Sequence, residues 1–301
     1  MDVIPETLRA AVVQMNTTED VDANVATALR LIDESAARGA RLIVLPEKFH
    51  YLGDRAGVAR ARLRLDGVLM GRFAEAARSH CVHLVAGSVW EEVPGEERTY
   101  NTSVLFAPDG SRLAFYRKIH MFDVDVGGHA YRESDDCRGG DQVVAVTIRD
   151  WASAPAGGGA TAAEASSLTL GLSVCYDLRF PELYRALVDL GAHVVTLPSA
   201  FTTTTGRDHW EVLVRARAIE NQVFVVAANQ YGKHGPGLES YGRSMIVDPW
   251  GLVLAQAADG EGIAAADLDL GSVSRVRAAV PSLANRAPDA YERRVLLDRG
   301  S

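Results

Sequence analysis

Leu168-Thr-Leu-Gly-Leu-Ser-Val-Cys175-Tyr-Asp-Leu-Arg-Phe-Pro181-Glu-Leu183 is the stretch from which the fold can be read. Its first half is a β-type apolar run that ends in a cysteine. Pro181 stands where a following helix would place its first turn, a position that tolerates proline because its missing N–H has no partner there anyway. The pattern is a strand-to-helix elbow, and it presents Cys175 at the carboxyl end of a strand. Ligands gather at that edge of α/β sheets, and a cysteine there feels the positive end of the next helix, which favours thiolate. Alone, the segment is ambiguous, because free cysteines are more often small buried hydrophobes.

Outward from the elbow, short β-type runs alternate with longer helical ones. Leu8 to Met15 reads as a strand, Val21 to Arg38 as an amphipathic helix ended by Gly39, and Arg41 to Leu45 as a strand closed by Pro46. Gly71 to Ser79 is helical and Val82 to Val89 extended. Past the elbow come a helix over Pro181 to Leu190, a strand over Val194 to Leu197, a helix over Trp210 to Asn221 and a strand over Val223 to Ala228. Two hairpins share one turn pattern: Ala107-Pro-Asp-Gly110 joins Thr102–Phe106 to Leu113–Tyr116, and Asp248-Pro-Trp-Gly251 joins Ser244–Val247 to Leu252–Ala255. In both, proline sets the first corner and glycine supplies the positive φ. Trp151 to Ser167, with Gly157-Gly-Gly159 inside it, is the compositional outlier, and reads as a flexible hairpin tip between strands Val143–Ile148 and Leu168–Val174. The expectation is a single domain over 1–301, with a core of about 8–270, the insert at 151–167 and a C-terminal arm at 271–301.

The chain has 301 residues and is 48% hydrophobic, ample for a large core. Against 31 Lys and Arg stand 39 Asp and Glu, a net charge of -8, which argues against a nucleic-acid surface because phosphate backbones call for clustered cations. The first ten residues lack the basic and apolar regions of a signal peptide, and no apolar run approaches bilayer length, so no membrane role is expected. Cys81, Cys137 and Cys175 show no CxxC spacing. An odd, sparse set fits a reducing cytosol, and the expected location is cytoplasmic. Cys81 is expected in a core strand and Cys137 at a more exposed position. The histidines lack paired-ligand spacing, and no glycine loop suits a phosphate, so neither metal nor cofactor is implied.

Two other segments carry chemistry. Leu45-Pro46-Glu47 puts a carboxylate at a second strand end, and Tyr116-Arg117-Lys118-Ile119-His120 puts a lysine just after the first hairpin. Each in isolation reads as a solvated charge. Together they supply what a thiol nucleophile needs at neutral pH: a proton acceptor, and a cation to stabilise thiolate and oxyanion. A Cys–His pair is the usual alternative, with His50, His120, His129, His193 and His209 as candidates that spacing does not exclude. On the helix over Trp210 to Asn221, Glu211 with Arg215 and Arg217 with Glu220 have the spacing of pairs that stabilise a helix face.

The segments Leu42-Ile-Val-Leu-Pro-Glu47, Tyr116-Arg-Lys118-Ile-His120 and Gly171-Leu-Ser-Val-Cys175-Tyr-Asp-Leu-Arg-Phe-Pro-Glu182 resemble, in order, the three signature blocks of the nitrilase superfamily of carbon–nitrogen hydrolases. Similarity runs from about Leu8 to Leu270. The resemblance implies a four-layer α-β-β-α sandwich, a catalytic triad on Glu47, Lys118 and Cys175, and a supporting second glutamate at Glu133. It also implies an oxyanion site at the Tyr176 N–H with Lys118, and substrate contacts from Arg179 and Thr205 of a Thr-Gly loop. Lys118–Val126, Arg132–Ser134, Pro198–Phe201 and Ser240–Gly251 look most like the Nit amidase branch, whose members hydrolyse the terminal amide of small acidic substrates of the deaminated-glutathione or α-ketoglutaramate type. The long insert and Gly127-Gly-His129 depart from that pattern. The partners implied are a small-molecule amide and a second copy of the chain, as a homodimer or higher homo-oligomer paired through helices such as Trp210 to Gln222. Alternatives are an N-carbamoyl amino acid hydrolase, a nitrilase, or a binding or redox-sensing protein with a vestigial site.

Overall fold

The computed structural model describes residues 7–292 apart from 127, 150, 152–166 and 236. In chain order, β1 (Thr7–Gln14) leads through α1 (Val21–Ala37) to β2 (Leu42–Val44). Helices α2 (Arg55–Ala61) and α3 (Val68–His80) precede β3 (His83–Glu91), and β4 (Tyr100–Phe106) and β5 (Arg112–Arg117) form the first expected hairpin. Two short strands follow, β6 (Asp123–Val126) and β7 (His129–Arg132), and then β8 (Ala145–Arg149) and β9 (Ser167–Leu172). Helix α4 (Pro181–Asp189), β10 (Val194–Ser199), α5 (Thr203–Asn221) and β11 (Phe224–Asn229) continue the alternation. The chain ends in β12 (Tyr231–Gly235), β13 (Leu238–Tyr241), β14 (Met245–Val247), β15 (Val253–Gln256), β16 (Gly262–Asp269), α6 (Gly271–Ala279) and α7 (Pro288–Glu292).

Two six-stranded sheets result, in the orders β16-β1-β2-β3-β4-β5 and β15-β14-β11-β10-β9-β8. Alternation of side chains along each strand assigns the layers. Leu8, Ala10 and Val12 of β1 meet Leu170, Val194, Phe224 and Val226 of the other sheet in one apolar cluster, so the sheets stack face to face. The opposite residues, Ala11 and Val13, pack with Leu31 and Ile32 of α1 and Phe73 of α3. On the far side Val195, Leu197 and Val225 pack against Leu187 of α4 and Trp210 and Val214 of α5. This is the expected four-layer α-β-β-α sandwich, and its central strands, such as β1, β10 and β11, are apolar on both faces because each face has a cover.

Both turns behave as their Pro-x-Gly pattern demands. Gly110 N–H donates to Ala107 O at 2.9 Å and Gly251 N–H to Asp248 O at 2.9 Å, with φ of +81° and +90°. Strands β8 and β9 pair antiparallel, from Ala145 opposite Gly171 to Arg149 opposite Ser167. Most of the 151–167 insert, Gly127 and residues 293–301 of the C-terminal arm lie outside the described residues; Trp151 is buried in the inter-sheet core.

Several expectations need correction. The fifth helix starts at Thr203, not Trp210, because Thr202 turns the chain out of β10 and its carbonyl accepts from Gly206 N–H at 2.7 Å; Thr205 therefore sits in a helical first turn and not in a loop. Cys81 is exposed: it takes the left-handed C-cap of α3 at φ +52° and ends the helix before β3 begins. Cys137 is fully buried beside Tyr51, Val58 and Trp90. The acidic and basic neighbours that suggested exposure point away, as in the Arg55 to Asp136 ion pair. Arg217 does pair with Glu220 at 2.8 Å, but Arg215 donates to Gly251 O and Glu211 accepts from Gln256, so no i,i+4 pair forms there.

One contact fixes the end of β2 where Glu47 follows. Gly87, at the irregular step of the β3–β4 ladder, has φ +24°, and a Cβ there would lie 2.0 Å from Pro46 O and 2.9 Å from Leu45 O. Both are backbone atoms with nowhere to go. Gly87→Ala should destabilise the protein by about 1–3 kcal/mol in urea unfolding, the range of core overpacking. An unchanged midpoint would mean that this approach does not set the Pro46–Glu47 turn.

Candidate active site

Three strand ends deliver the expected residues to one place. Glu47 follows β2, Lys118 follows β5, and Cys175 follows β9 by three residues. A pocket of about 230 Å³ opens over them and is lined by Glu47, Lys118, Glu133, Cys175, Tyr176 and Thr205, among others.

The elbow is built around Asp177. Its Oδ2 accepts from Val174 N–H and from the Tyr116 hydroxyl, both at 2.8 Å, while Oδ1 lies 2.8 Å from His120 Nδ1. One buried carboxylate thus staples the turn that carries the cysteine to the segment that carries the lysine. Arg217 adds a bond from α5, Nε donating to Leu178 O at 2.9 Å. Cys175 itself opens a short 3-10 turn with φ +48°, a left-handed conformation that a side chain with a Cβ seldom adopts, and is 7% exposed. Strain of this kind persists where the surroundings over-determine it, commonly at functional sites. Tyr176, second in that turn, lines the pocket, and the first N–H groups of a helical turn have no partner within the turn.

The charges form a closed network. Lys118 Nζ donates to Glu133 Oε2 at 2.6 Å and to Glu47 Oε1 at 3.2 Å, and is 1% exposed. Glu47 also accepts from Asn101 Nδ2 at 2.6 Å and, through Oε2, from Ala200 N–H at 2.8 Å. Glu133 accepts further from Asn101 Nδ2 at 3.0 Å, from Phe122 N–H at 2.9 Å and from Lys48 Nζ at 2.9 Å. Two ammonium groups therefore balance two carboxylates. Burial works against the charge on Lys118, but Glu133 and Glu47 outweigh it and hold its pKa well above the ordinary lysine value. Burial likewise opposes the charge on Glu133, and Lys118 and Lys48 more than reverse it, so this carboxyl stays ionised far into acid.

Cys175 goes the other way. Burial, and then the negative charge of Glu47, push its thiol well above the ordinary value, with Lys118 opposing. The thiol thus rests neutral beside the Glu47 carboxyl group, and not as the helix-stabilised thiolate that the elbow alone suggested. Such a pair can move a proton from sulfur to Glu47 while an electrophile arrives, with Lys118 Nζ and the Tyr176 N–H able to receive a developing oxyanion.

Four of the five histidine alternatives are engaged elsewhere, His50 with Ala61 O, His120 with Asp177, His193 with Thr169 N–H and His209 with Arg179, and the side chain of His129 lies outside the described part of the structure. Thr205 lines the pocket, its hydroxyl 3.0 Å from that of Thr202. Arg179 is not among the lining residues; its guanidinium lies over the rings of Phe201 and Tyr176, at 5.0 and 5.9 Å, and both rings line the pocket. Sequence reasoning missed Asn101 and Lys48. Asn101 sits unmarked inside a strand, whereas Lys48, adjacent to Glu47 at a closing turn, was open to discovery.

The model of the carbon–nitrogen hydrolase family matches residues 9–278 of this chain. A deaminated glutathione amidase from Bos taurus is 40% identical over 286 residues, covering 93% of this chain and 82% of the relative. One from Synechocystis sp. is 39% identical over 279 residues, with 92% and 97% covered. Among solved structures, Saccharomyces cerevisiae Nit3, described as a member of branch 10 of the nitrilase superfamily, superposes with a TM-score of 0.79 at 29% identity, covering 93% of this chain and 97% of that one.

The raised thiol gives a direct optical test. Thiolate absorbance assignable to residue 175, taken as wild type minus Cys175→Ala, should develop only above pH 9.0, the ordinary thiol value. In a Glu47→Gln background, where the carboxylate that raises it is gone, the rise should move to lower pH. Absorbance already complete at neutral pH would overturn the neutral-thiol description.

Proposed function

This chain belongs to the carbon–nitrogen hydrolase family, in which it is an amidase, and we propose that it opens the terminal amide of a small acidic substrate through a thioester on Cys175. The observation that carries the reading is the convergence of the Cys175 thiol, the Glu47 carboxyl group and the buried Lys118 ammonium at one pocket, with Lys118 hydrogen-bonded to Glu47.

In the proposed sequence Glu47 takes the Sγ proton as sulfur attacks the amide carbonyl carbon. The carbonyl oxygen becomes an oxyanion held by Lys118 Nζ and the Tyr176 N–H. Glu47 then returns its proton to the nitrogen, the C–N bond breaks and ammonia leaves a thioester. A water molecule gives a proton to Glu47 while its oxygen attacks the thioester. The second tetrahedral intermediate expels sulfur, which recovers its proton from Glu47, and the acid departs. Glu133 touches no reacting atom in this scheme. It fixes Lys118 as an ammonium and is a positioning residue, shared with Asn101 and the Phe122 N–H.

A substrate of the deaminated-glutathione type is supported by the relatives of that name. Thr205 at the pocket wall is assigned to its acidic end, and Arg179 to the same end through the Phe201 and Tyr176 rings it supports. Pairing of two copies through α5 is supported by the exposed apolar side chains of Val212 and Ile219 on that helix and of Trp250 and Leu252 on the adjoining turn. A cytoplasmic location is our reading from three unpaired cysteines. No helix among the described residues is long and apolar enough to cross a membrane.

Cys175→Ala should lower ammonia release from such amides by a factor on the order of 10³ or more, the scale seen when a covalent nucleophile is removed, with an unchanged circular dichroism spectrum. Cys175→Ser should also be severely impaired, because a hydroxyl is a far weaker nucleophile beside a base matched to a thiol. Full activity in a folded Cys175→Ala protein would reject the scheme.

A further inference from the structure

Lys48 does more than the network requires. Glu133 is already satisfied on Oε2 by Lys118 and the Phe122 N–H, and on Oε1 by Asn101, before Lys48 adds a second ammonium to Oε1. The position is also a strained one. Lys48 has φ +53°, held by its own N–H donating to Ser88 Oγ at 3.0 Å, and that backbone turns the side chain into the pocket where Glu47 faces Cys175. Its ammonium lies 4.0 Å from the centroid of the Trp90 indole and the side chain is only 12% exposed.

An ammonium has three N–H donors. Glu133 takes one and the indole face another, which leaves one for an anion in the pocket. Burial works against the charge, yet Glu133 and Glu47 outweigh it and keep Lys48 protonated. The other acidic groups at the pocket do not compete for it. Asp136 is taken by Arg55, whose Nε lies 2.5 Å from Oδ1, and Glu239 is exposed.

We propose that Lys48 is a specificity-determining residue whose ammonium binds a carboxylate of the substrate. The proposal deepens the amidase reading and rests on it. Lys118 and Lys48 stand on opposite oxygens of one carboxylate, Glu133. With the amide oxygen against Lys118, a carboxylate against Lys48 is reached by a short acyl chain. The pocket then selects amides whose other end, a few carbons away, is acidic. A neutral amide leaves the buried donor unanswered, the loss that makes a polar pocket discriminate strongly. The aromatic partner sharpens the geometry, since a cation on an indole face has its remaining donors directed away from the ring.

The test uses binding, so that it stands apart from turnover. In the Cys175→Ala protein, calorimetric titration with glutaramate, which carries an amide at one end and a carboxylate at the other, is compared with titration by glutaramide, amide at both ends. Lys48→Met, which keeps length and removes charge, should weaken glutaramate by about tenfold or more, the scale of one lost charge-assisted bond, and glutaramide much less. Lys48→Arg, which keeps the charge, should recover most of the loss. Glu133 retains three donors in either variant, so the network survives the change. Equal weakening of both ligands would make Lys48 a support for Glu133 and overturn the proposal, as would no weakening at all, or no preference for glutaramate before Lys48 is changed. A protein with Cys175 intact that releases no ammonia from glutaramate, while these binding differences hold, would count against the proposed function and leave the carboxylate subsite standing.

Discussion

The buried ammonium of Lys118 is the constraint on which the rest of the site depends. A charge taken out of water incurs several kcal/mol unless opposite charges and hydrogen bonds replace its hydration. With 1% of the side chain exposed, that replacement has to be complete. Glu133 and Glu47 supply it, and they come from the end of β7 and the end of β2. The lysine is delivered by the hairpin of β4 and β5, with its N–H bonded to Asn101 O of the neighbouring strand. Satisfying one cation therefore draws three remote segments together, and Asp177 draws in a fourth by joining the Cys175 elbow to Tyr116 and His120.

In the proposed mechanism, the same charge balance lets a hard-to-ionise thiol serve. Proton transfer from Cys175 to Glu47 leaves the net charge of the cluster unchanged, so no additional buried charge is created before bond formation. In that mechanism charge then migrates from sulfur to the former carbonyl oxygen, toward the ammonium that was balanced against Glu47. A donor already held in place needs no reorganisation at the moment of reaction, and such preorganisation is the main source of acceleration in many enzymes. The fold contributes rigidity: Glu47 follows a strand covered on both faces, and Gly87 packs against the carbonyls that precede it.

Much of this was legible in the sequence. The elbow declared itself through an apolar run, a terminal cysteine and Pro181, and the two Pro-x-Gly turns through chemistry that only one backbone path satisfies. Local rules sufficed because those features are local. What escaped depended on distant partners. Asn101 binds Glu47 across 54 positions and Lys48 binds Glu133 across 85, with no spacing to betray them. The two cysteines were exchanged for a similar reason. Cys81 follows an amphipathic helix and takes its exposed left-handed cap, and Cys137 sits among charges whose partners turn outward, leaving it buried in the cluster of Tyr51, Val58 and Trp90. Strand β16 lay unread because it pairs with β1 from the other end of the chain, Thr7 opposite Asp269.

The central claim is that the amide is opened by Cys175 through a covalent thioester. Quenching the enzyme in acid during turnover of an acidic amide, followed by intact-mass and peptide mapping, tests it most directly. The account predicts a mass increase equal to the acyl group, mapped to Cys175 and absent from Cys175→Ala, and lost on incubation with hydroxylamine. Acylation at Cys81 or Cys137, with Cys175 unmodified while ammonia is being released, would contradict it.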